Sequence, residues 1–256
     1  MTRDQFEELV NKKVLTEEET AMLEPYRVKK AIFLAAGLGS RLRPITINTP
    51  KPLVRVYGVR IIDTLIDACL NVGIDEIYIV RGYLAEEFDQ LRYKYPNIHF
   101  IDNLSFKECN NILSAMLVRD LLQNAYVLEA DLLISNPNII RKYHYQSEVL
   151  GIWKDKTDDW CLETDENNIV VDEKTCGENC YQMVGIYYWN AEDGRRLESD
   201  IATVYETAEG KQRYWETVPN QVYKGQYQIE VIPCEDTDIV EIDTFDELKA
   251  IDATYS

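Results

Sequence analysis

The sequence predicts an α/β protein whose Rossmann-like, mainly parallel sheet is flanked by helices and carries a small substrate-binding lobe. From residue 31 to residue 130, short apolar runs alternate with segments of helical spacing, an order that favours a parallel sheet with helices on both faces. Beyond residue 148, strand-like segments and aromatic residues become frequent, which predicts the lobe. With 256 residues the chain can bury a sizeable core as one large domain, residues 30–256, preceded by an appendage.

Residues 1–29 are predicted to form that appendage from two short helices. Thr2 can cap the first helix, and Thr16 with Glu19 fits the capping box of the second, which ends at Pro25. The segment has no basic face and no side chain that suggests catalysis. We therefore expect a packing or dimerisation element, which leaves a homodimer open.

The main domain is predicted to begin with strands that alternate with helices. The expected strands span residues 31–35, 76–80, 98–101 and 125–130, and the expected helices span 61–70, 84–93 and 112–122. The second half is expected to hold strands at 149–153, 183–189, 229–233 and 239–242, a hairpin at 161–171, and helices at 191–206, at 213–223 and after Thr244. Ligands of such sheets bind at the carboxyl ends of the strands, so the residues there are candidates for a site.

The charge and the cysteine content exclude several classes of protein. The net charge of −18 repels nucleic acid, so DNA or RNA binding is not expected. No apolar run approaches the length of a membrane span and the N-terminus does not resemble a signal peptide, so we expect a cytoplasmic protein that binds no membrane. Six cysteines without a C-x-x-C pair and two histidines argue for reduced thiols and against a zinc site or a histidine-based nucleophile.

One segment, residues 31–53, carries the strongest chemical signal. A buried strand leads into Gly-Leu-Gly-Ser-Arg at residues 37–41, and a turn of this kind lets backbone N–H groups approach an anion. Arg41 and Lys51 add positive charge, so the segment suits a nucleoside triphosphate. A P-loop sequence is absent, and Leu42 stands where a dinucleotide fingerprint needs its third glycine.

The run L-A-A-G-x-G-x-R-x-x-P-x-T-x-x-x-P-K-P-L, residues 34–53, resembles the signature of the nucleotidyltransferases that activate sugar 1-phosphates and related phosphates. From about Lys30 to about Leu248 the chain resembles, within that family, the bacterial Lic-type CTP:phosphocholine cytidylyltransferases. The motifs that carry the resemblance are Gly82-Tyr83-Leu84, Asn110-Asn111, Ala130-Asp131, Asp159-Trp160, Tyr214-Trp215-Glu216 and Glu241-Ile242-Asp243. The resemblance implies a fold of the nucleotide-diphospho-sugar transferase type.

Nucleotidyl transfer needs an α-phosphate held in line with the attacking oxygen, and its charge is commonly neutralised by Mg²⁺ on one or two carboxylates. Asp131 and Asp243 each follow a predicted strand and are candidate ligands. The alternative for Asp131 is a solvated carboxylate at the end of a strand, and the alternative for Asp243 is a helix N-cap, a role it could combine with metal binding. The resemblance implies that both bind the catalytic Mg²⁺. Together with the two basic residues, the predicted catalytic set is Arg41, Lys51, Asp131 and Asp243.

The resemblance also implies which residues bind the nucleotide and its acceptor. The predicted nucleotide-binding residues are Leu34, Ala35, Ala36, Gly37, Gly39, Ser40, Gly82, Tyr83 and Asn111. The predicted substrate-binding residues are Lys154, Asp159, Trp160, Tyr214, Glu216 and Glu241. Rings beside carboxylates suit a quaternary ammonium, because the face of a ring attracts a cation. Lys154 is expected to hold the acceptor phosphate, with an exposed surface lysine as an equal alternative.

The leading functional prediction is an enzyme that converts CTP and phosphocholine into CDP-choline and pyrophosphate. The nearest alternative acceptors are 2-aminoethylphosphonate and phosphoethanolamine, whose primary ammonium can donate hydrogen bonds to carboxylates, followed by a sugar 1-phosphate. Glu129, Leu132 and Leu133 depart from the neighbours expected around the metal aspartate, which leaves the acceptor open. A non-catalytic nucleotide-binding regulator is a further alternative, but it would have no need of the paired aspartates.

Overall fold

The computed structural model describes residues 1–255. The α-helices are α1 (Arg3–Val10), α2 (Glu17–Leu23), α3 (Ile61–Asn71), α4 (Ile112–Leu117), α5 (Ala191–Tyr205) and α6 (Phe245–Ile251). The strands are β1 (Lys30–Ala35), β2 (Arg55–Val56), β3 (Val59–Arg60), β4 (Glu76–Arg81), β5 (His99–Asp102), β6 (Ala125–Glu129), β7 (Leu132–Ile134), β8 (Glu148–Thr164), β9 (Val170–Trp189), β10 (Glu230–Cys234) and β11 (Ile239–Glu241).

A mixed sheet forms the centre of the protein. Within residues 1–255 it has seven strands in the order β10-β8-β9-β6-β1-β4-β5, and six of them run in one direction. Only β9 runs antiparallel to its neighbours, β6 and β8. Helices pack on both faces, α3 on one and α4 with α5 on the other. The predicted fold class, a mainly parallel sheet flanked by helices, is therefore confirmed.

Strand β1 is an inner strand of the sheet, between β6 and β4, and both of its faces are covered. Ala31 and Phe33 pack in the core cluster that contains α3, whereas Ile32 and Leu34 pack in the cluster that contains α4 and α5. Successive side chains of a strand point to opposite faces, so a continuous apolar run is what such a strand requires. Because side chains fill both faces of the sheet at β1, a ligand can bind at the carboxyl ends of the strands.

The carboxyl ends of the parallel strands form one edge. Leu34 of β1 is in register with Val80 of β4 and with Glu129 of β6, so the loops that follow these strands emerge side by side. The glycine-rich loop and Asp131 both start from this edge. This common origin is what allows residues far apart in the sequence to build a single site.

The β8–β9 hairpin is much longer than the predicted strands, since its strands have 17 and 20 residues. The predicted hairpin at 161–171 is confirmed as its tip, where Oδ1 of Asp165 accepts hydrogen bonds from the N–H groups of Asn167 and Ile169. Pairing shifts register between Thr157 and Trp160, and strand β9 then passes on both sides of residues 161–162. The hairpin thereby bends, and its distal part forms the predicted lobe.

The predicted helix at 213–223 is wrong. A 3₁₀ turn occupies Gly210–Gln212, and a π-helical turn occupies Val218–Val222. Pro219 lacks a backbone N–H and so cannot support an α-helix through this segment. Two other predicted helices are shorter or tighter than expected: Ala85–Tyr93 is a 3₁₀ helix, and α4 gives way to a 3₁₀ turn at Arg119–Leu121.

The N-terminal helices α1 and α2 form as predicted, each with a complete capping box. Phe6, Leu9 and Leu23 make a small core of their own, against which Tyr26 and Tyr145 pack. None of the helices within residues 1–255 is long and apolar enough to cross a membrane.

Candidate active site

The glycine-rich loop after β1 is folded closely against its own downstream segment. Gly39 has a left-handed φ of +56°, and a Cβ at this position would lie 2.9 Å from the Cβ of Lys51. Oγ1 of Thr46 donates a hydrogen bond of 2.7 Å to the carbonyl oxygen of Gly39. Glycine is therefore required at position 39 both for the backbone conformation and for space, and the fold of the loop brings Lys51 to the edge of the sheet.

Four charged side chains meet at this edge. Nζ of Lys51 lies 2.7 Å from Oδ2 of Asp131 and 2.5 Å from Oδ1 of Asp243. Nη1 of Arg41 lies 2.7 Å from Oδ2 of Asp243. Burial opposes the charge on Lys51, but the two aspartates outweigh burial and raise the pKa of its ammonium. The structure thus brings together the four residues of the predicted catalytic set, with Lys51 as a fixed cation.

Strands β7 and β11 hold the two aspartates next to each other. Asp131 precedes β7, which pairs antiparallel with β11, and the N–H of Ile242 donates to the carbonyl oxygen of Asp131 at 3.3 Å. The N-cap of α6 is Thr244. The carboxylate of Asp243 is therefore not the helix cap, and it faces Lys51 instead.

Asp131, Glu241 and Asp243 form a group of carboxylates that could hold a metal ion, with one oxygen of each within 4.8 Å of the others. Oδ1 of Asp131 is buried and has no hydrogen-bond partner within the described part of the chain, residues 1–255. A buried carboxylate oxygen without a donor is suited to a cation, and an all-oxygen set is the kind that Mg²⁺ takes. These residues therefore fit a divalent metal.

The sequence analysis assigned Glu241 to the acceptor and missed its place in this group. Burial, followed by the charges of Asp131 and Asp243, raises the pKa of Glu241 to about 8. The signal was present in the sequence, because residues two apart on an extended chain point to the same side. Glu241 and Asp243 have that spacing at the end of β11.

Two cavities open from the glycine-rich loop. The loop cavity, of about 270 Å³, is lined by all four predicted catalytic residues and by Leu34, Ala35, Gly37, Gly39 and Ser40. The α4 cavity, of about 170 Å³, is lined by Leu34, Ala36, Gly37, Asn103, Phe106, Asn111 and Ser114, among others. Between them the two cavities contain most of the predicted nucleotide-binding residues.

Gly82 and Tyr83 contact the backbone of the glycine-rich loop and line neither cavity. A Cβ on Gly82 would lie 2.9 Å from the carbonyl oxygen of Ala36, which also accepts a hydrogen bond of 3.2 Å from the N–H of Tyr83. The hydroxyl of Tyr83 donates to the carbonyl oxygen of Thr46 at 2.8 Å. These contacts fix the backbone of residues 36–46.

A third cavity, the hairpin cavity of about 320 Å³, lies against the same aspartates. It is lined by five of the predicted substrate-binding residues, namely Asp159, Trp160, Tyr214, Glu216 and Glu241. The rings of Trp160 and Tyr214 have centroids 5.8 Å apart and planes inclined by 64°. The bent hairpin supplies one ring and the segment before the π-helical turn supplies the other, so they form two sides of a corner.

Buried and half-buried glutamates line another part of the hairpin cavity. Nδ2 of Asn111 lies 3.3 Å from carboxylate oxygens of both Glu129 and Glu216. Burial, then the charges of Glu216 and Asp131, raises the pKa of Glu129 well above its usual range, and burial also raises the pKa of Glu216. The sequence analysis did not identify Glu173, which is 4% exposed and lines the same cavity.

Lys154 is the one predicted substrate-binding residue that the structure places elsewhere. Its Nζ lies 2.6 Å and 2.8 Å from the two carboxylate oxygens of Asp236. It does not line the hairpin cavity.

Comparison with known proteins shows which family the chain resembles. Residues 30–233 match the nucleotidyl transferase family. The chain is 35% identical over 228 residues to the 2-aminoethylphosphonate cytidylyltransferase of Lancefieldella rimae, covering 88% of this chain and 92% of that protein. It is 33% identical over 228 residues to the choline-phosphate cytidylyltransferase of Streptococcus pneumoniae, covering 87% of this chain and 96% of that protein. The solved structure of the CTP:phosphocholine cytidylyltransferase of S. pneumoniae superposes with a TM-score of 0.81 at 31% identity, covering 90% of this chain and all of that chain.

Proposed function

This chain belongs to the nucleotidyl transferase family, and we propose that it is a cytidylyltransferase that joins CTP to a small phosphate or phosphonate carrying a cationic amine. An oxygen of the acceptor attacks the α-phosphorus of CTP and forms a new P–O bond. The bond between the α-phosphorus and the bridging oxygen breaks, and pyrophosphate leaves. The names of the relatives at 35% and 33% identity support CTP as the nucleotide.

The loop cavity suits the triphosphate and the α4 cavity suits the cytidine. Arg41 and Lys51 line the loop cavity as its cations, and the glycines let backbone N–H groups approach phosphate oxygens. Asp131, Glu241 and Asp243 would hold Mg²⁺ between this cavity and the hairpin cavity. Mg²⁺ bound there would neutralise the charge that develops on the phosphates.

The observation that carries the proposal is the charge of the hairpin cavity. Carboxylates from several elements line it, and Arg41 is its only basic lining residue within residues 1–255. Arg41 is already paired with Asp243. A cavity with this excess of negative charge attracts a cation, and a neutral sugar ring would leave the buried carboxylates without a counter-charge.

Two kinds of acceptor, quaternary and primary ammonium compounds, are favoured by specific observations. The corner formed by Trp160 and Tyr214 favours phosphocholine, because a trimethylammonium group has no N–H and is held by ring faces. The carboxylates of Glu173 and Glu216, and the similarity to a 2-aminoethylphosphonate enzyme, favour a primary ammonium. Phosphocholine is our first candidate, and 2-aminoethylphosphonate with phosphoethanolamine is the second.

We expect Trp160→Ala and Tyr214→Ala each to reduce kcat/KM for phosphocholine by roughly 2- to 30-fold, from about 0.5–2 kcal/mol per ring. The loss should be smaller for the primary amines, which can hydrogen-bond to carboxylates. Steady-state kinetics with all three acceptors measures both effects. Trp153→Ala is the matched control, since Trp153 lies on the same hairpin, is half exposed and does not line the cavity. Equal losses for all acceptors would show that the rings do not select the ammonium.

We do not extend the acceptor site to Lys154. Lys154→Ala is expected to leave the KM of the acceptor within about 3-fold (about 0.7 kcal/mol) of wild type, because Lys154 is paired with Asp236 and does not line the hairpin cavity. Kinetics at saturating CTP measures this. A tenfold rise in that KM would support the original prediction that Lys154 binds the acceptor phosphate.

Further expectations from the sequence also remain proposals. These are the division into an appendage at 1–29 and a domain at 30–256, a cytoplasmic location, and a homodimer formed through the appendage. Light scattering of the full chain and of a chain that begins at residue 30 would show whether the appendage mediates association.

The experiment that tests the proposed function is a pyrophosphate-release assay. Each of the four common nucleoside triphosphates is combined with phosphocholine, phosphoethanolamine, 2-aminoethylphosphonate or a sugar 1-phosphate. We expect turnover with CTP and a cationic acceptor. Faster turnover with another nucleotide, or with the sugar 1-phosphate, would overturn the proposal.

A further inference from the structure

Glu173 is an unusual residue in the lining of a cavity, because it is buried and has no cationic partner within residues 1–255. It lies on β9, is 4% exposed and lines the hairpin cavity. Its hydrogen-bond donors are neutral: Nδ2 of Asn220 lies 2.6 Å from Oε2, and Nε2 of Gln221 lies 3.3 Å from Oε1. Burying a charged carboxylate that has only neutral donors costs folding free energy, which suggests that Glu173 has a functional role.

The donors of Glu173 come from an unusual backbone segment. Asn220 and Gln221 lie in the π-helical turn Val218–Val222, and Nδ2 of Asn220 also lies 3.0 Å from the hydroxyl oxygen of Tyr187. π-Helical turns often occur at functional sites, because the widened turn redirects side chains. Here the turn aims two amides at one carboxylate and fixes its orientation, while each oxygen keeps a lone pair for a further donor.

The surroundings of Glu173 are acidic on every side. Within residues 1–255, the titratable and charged groups that line the cavity or lie next to Glu173 are Arg41, Glu129, Asp131, Asp159, Asp172, Lys174, Tyr187, Tyr214, Glu216, Glu241 and Asp243. The two cations are already paired, Arg41 with Asp243 and Lys174 with Glu163. The local counter-charge therefore has to come from what binds in the cavity.

We propose that Glu173 is a specificity-determining residue that binds the cationic head of the acceptor and selects charged acceptors over neutral ones. This inference rests on the proposed function and names the residue that gives the site its charge preference. The Trp160–Tyr214 corner supplies ring faces to that head, and Glu173 supplies the opposite charge. The amides of Asn220 and Gln221 act as positioning groups for the carboxylate.

The test is Glu173→Gln, which removes the charge and keeps the shape of the side chain. We expect the KM of phosphocholine and of both primary amines to rise by about 10-fold or more, as for the loss of a charge-assisted contact, with the KM of CTP unchanged. Glu178→Gln is the matched control, because Glu178 is an exposed residue of the same strand. An unchanged acceptor KM in Glu173→Gln would overturn the inference.

A stability measurement separates a binding role from a structural one. Burial and the neighbouring charges of Glu216 and Asp172 raise the pKa of Glu173 to about 7 despite the two amides. Because this folded pKa lies above the unfolded value, ionisation of Glu173 destabilises the wild-type protein as the pH rises from about 4.5 to 7. Glu173→Gln should therefore have a higher melting temperature than wild type at pH 8 and a similar one at pH 5. A lower melting temperature at pH 8 would indicate a purely structural carboxylate.

The pH dependence gives a second readout. In wild type the KM of the acceptor should rise as the pH falls below about 7, because Glu173 becomes protonated and loses its charge. This rise should be reduced in Glu173→Gln, and an identical profile in both proteins would contradict the inference. If wild type uses no cationic acceptor with CTP, the proposed function itself fails. If wild type does so but Glu173→Gln binds the acceptor normally, only the inference fails.

Discussion

We expect Asp131→Asn and Asp243→Asn each to lower kcat by about 100-fold or more, and excess EDTA to abolish turnover. The reason is that both carboxylates face Lys51 and belong to the group suited to a divalent ion. Loss of a main group that stabilises developing charge has effects of this size. The measurement is the initial rate of pyrophosphate release at saturating substrates with Mg²⁺.

Asp246→Asn is the matched control for these variants. Asp246 lies three residues after Asp243, and its side chain is 90% exposed. The control should retain wild-type kcat. Full activity in Asp131→Asn or Asp243→Asn, or turnover that persists in EDTA, would refute the assignment of the metal site.

Lys51→Met should have the second largest effect, a fall in kcat of about 100-fold. The side chain is nearly buried, and its ammonium is the cation that both aspartates hold in the lining of the loop cavity. Charge that develops on the phosphates in the transition state would be met by this group. Arg41→Ala should impair catalysis less, because the side chain of Arg41 is 68% exposed.

Lys51→Met should also strengthen the binding of Mn²⁺, a probe for Mg²⁺, in the absence of nucleotide. The ammonium of Lys51 and a divalent ion compete for the same carboxylates, so removing the ammonium should lower the Kd of the metal by roughly 5-fold or more. Titration of Mn²⁺ by electron paramagnetic resonance measures this without turnover. A Kd that rises would show that Lys51 supports the metal site instead of competing for it.

For the kinetic prediction, an unchanged kcat with a raised KM for CTP would show that Lys51 binds the ground state and the transition state equally.

Much of the site could be predicted because its residues sit in continuous motifs. Gly39, Arg41 and Lys51 belong to one loop, and Asp131 directly follows a strand whose apolar run is visible in the sequence. Parallel strands end at one edge, so the topology brought these residues together without knowledge of any contact. The predicted resemblance to the Lic-type cytidylyltransferases is confirmed.

The acceptor side was harder to predict because it depends on an irregular hairpin. The bend between Thr157 and Trp160 decides which side chains of β8 and β9 point inward, and a shift of one residue reverses the facing of a strand. Glu173 therefore gave no signal in an acidic chain with many surface carboxylates. Lys154 has the charge expected for a phosphate contact, but the structure pairs it with Asp236 in the loop after β10.

The most direct test of the central claim is to identify the product by mass spectrometry. CTP, Mg²⁺ and either phosphocholine or 2-aminoethylphosphonate are incubated with the wild-type protein, and with Asp131→Asn as the inactive reference. We predict that CMP is joined to the acceptor and that an equal amount of pyrophosphate is released. Asp131→Asn should form almost none of this conjugate. Wild-type protein that forms no conjugate with any cationic acceptor, or equal product from Asp131→Asn, would contradict the account.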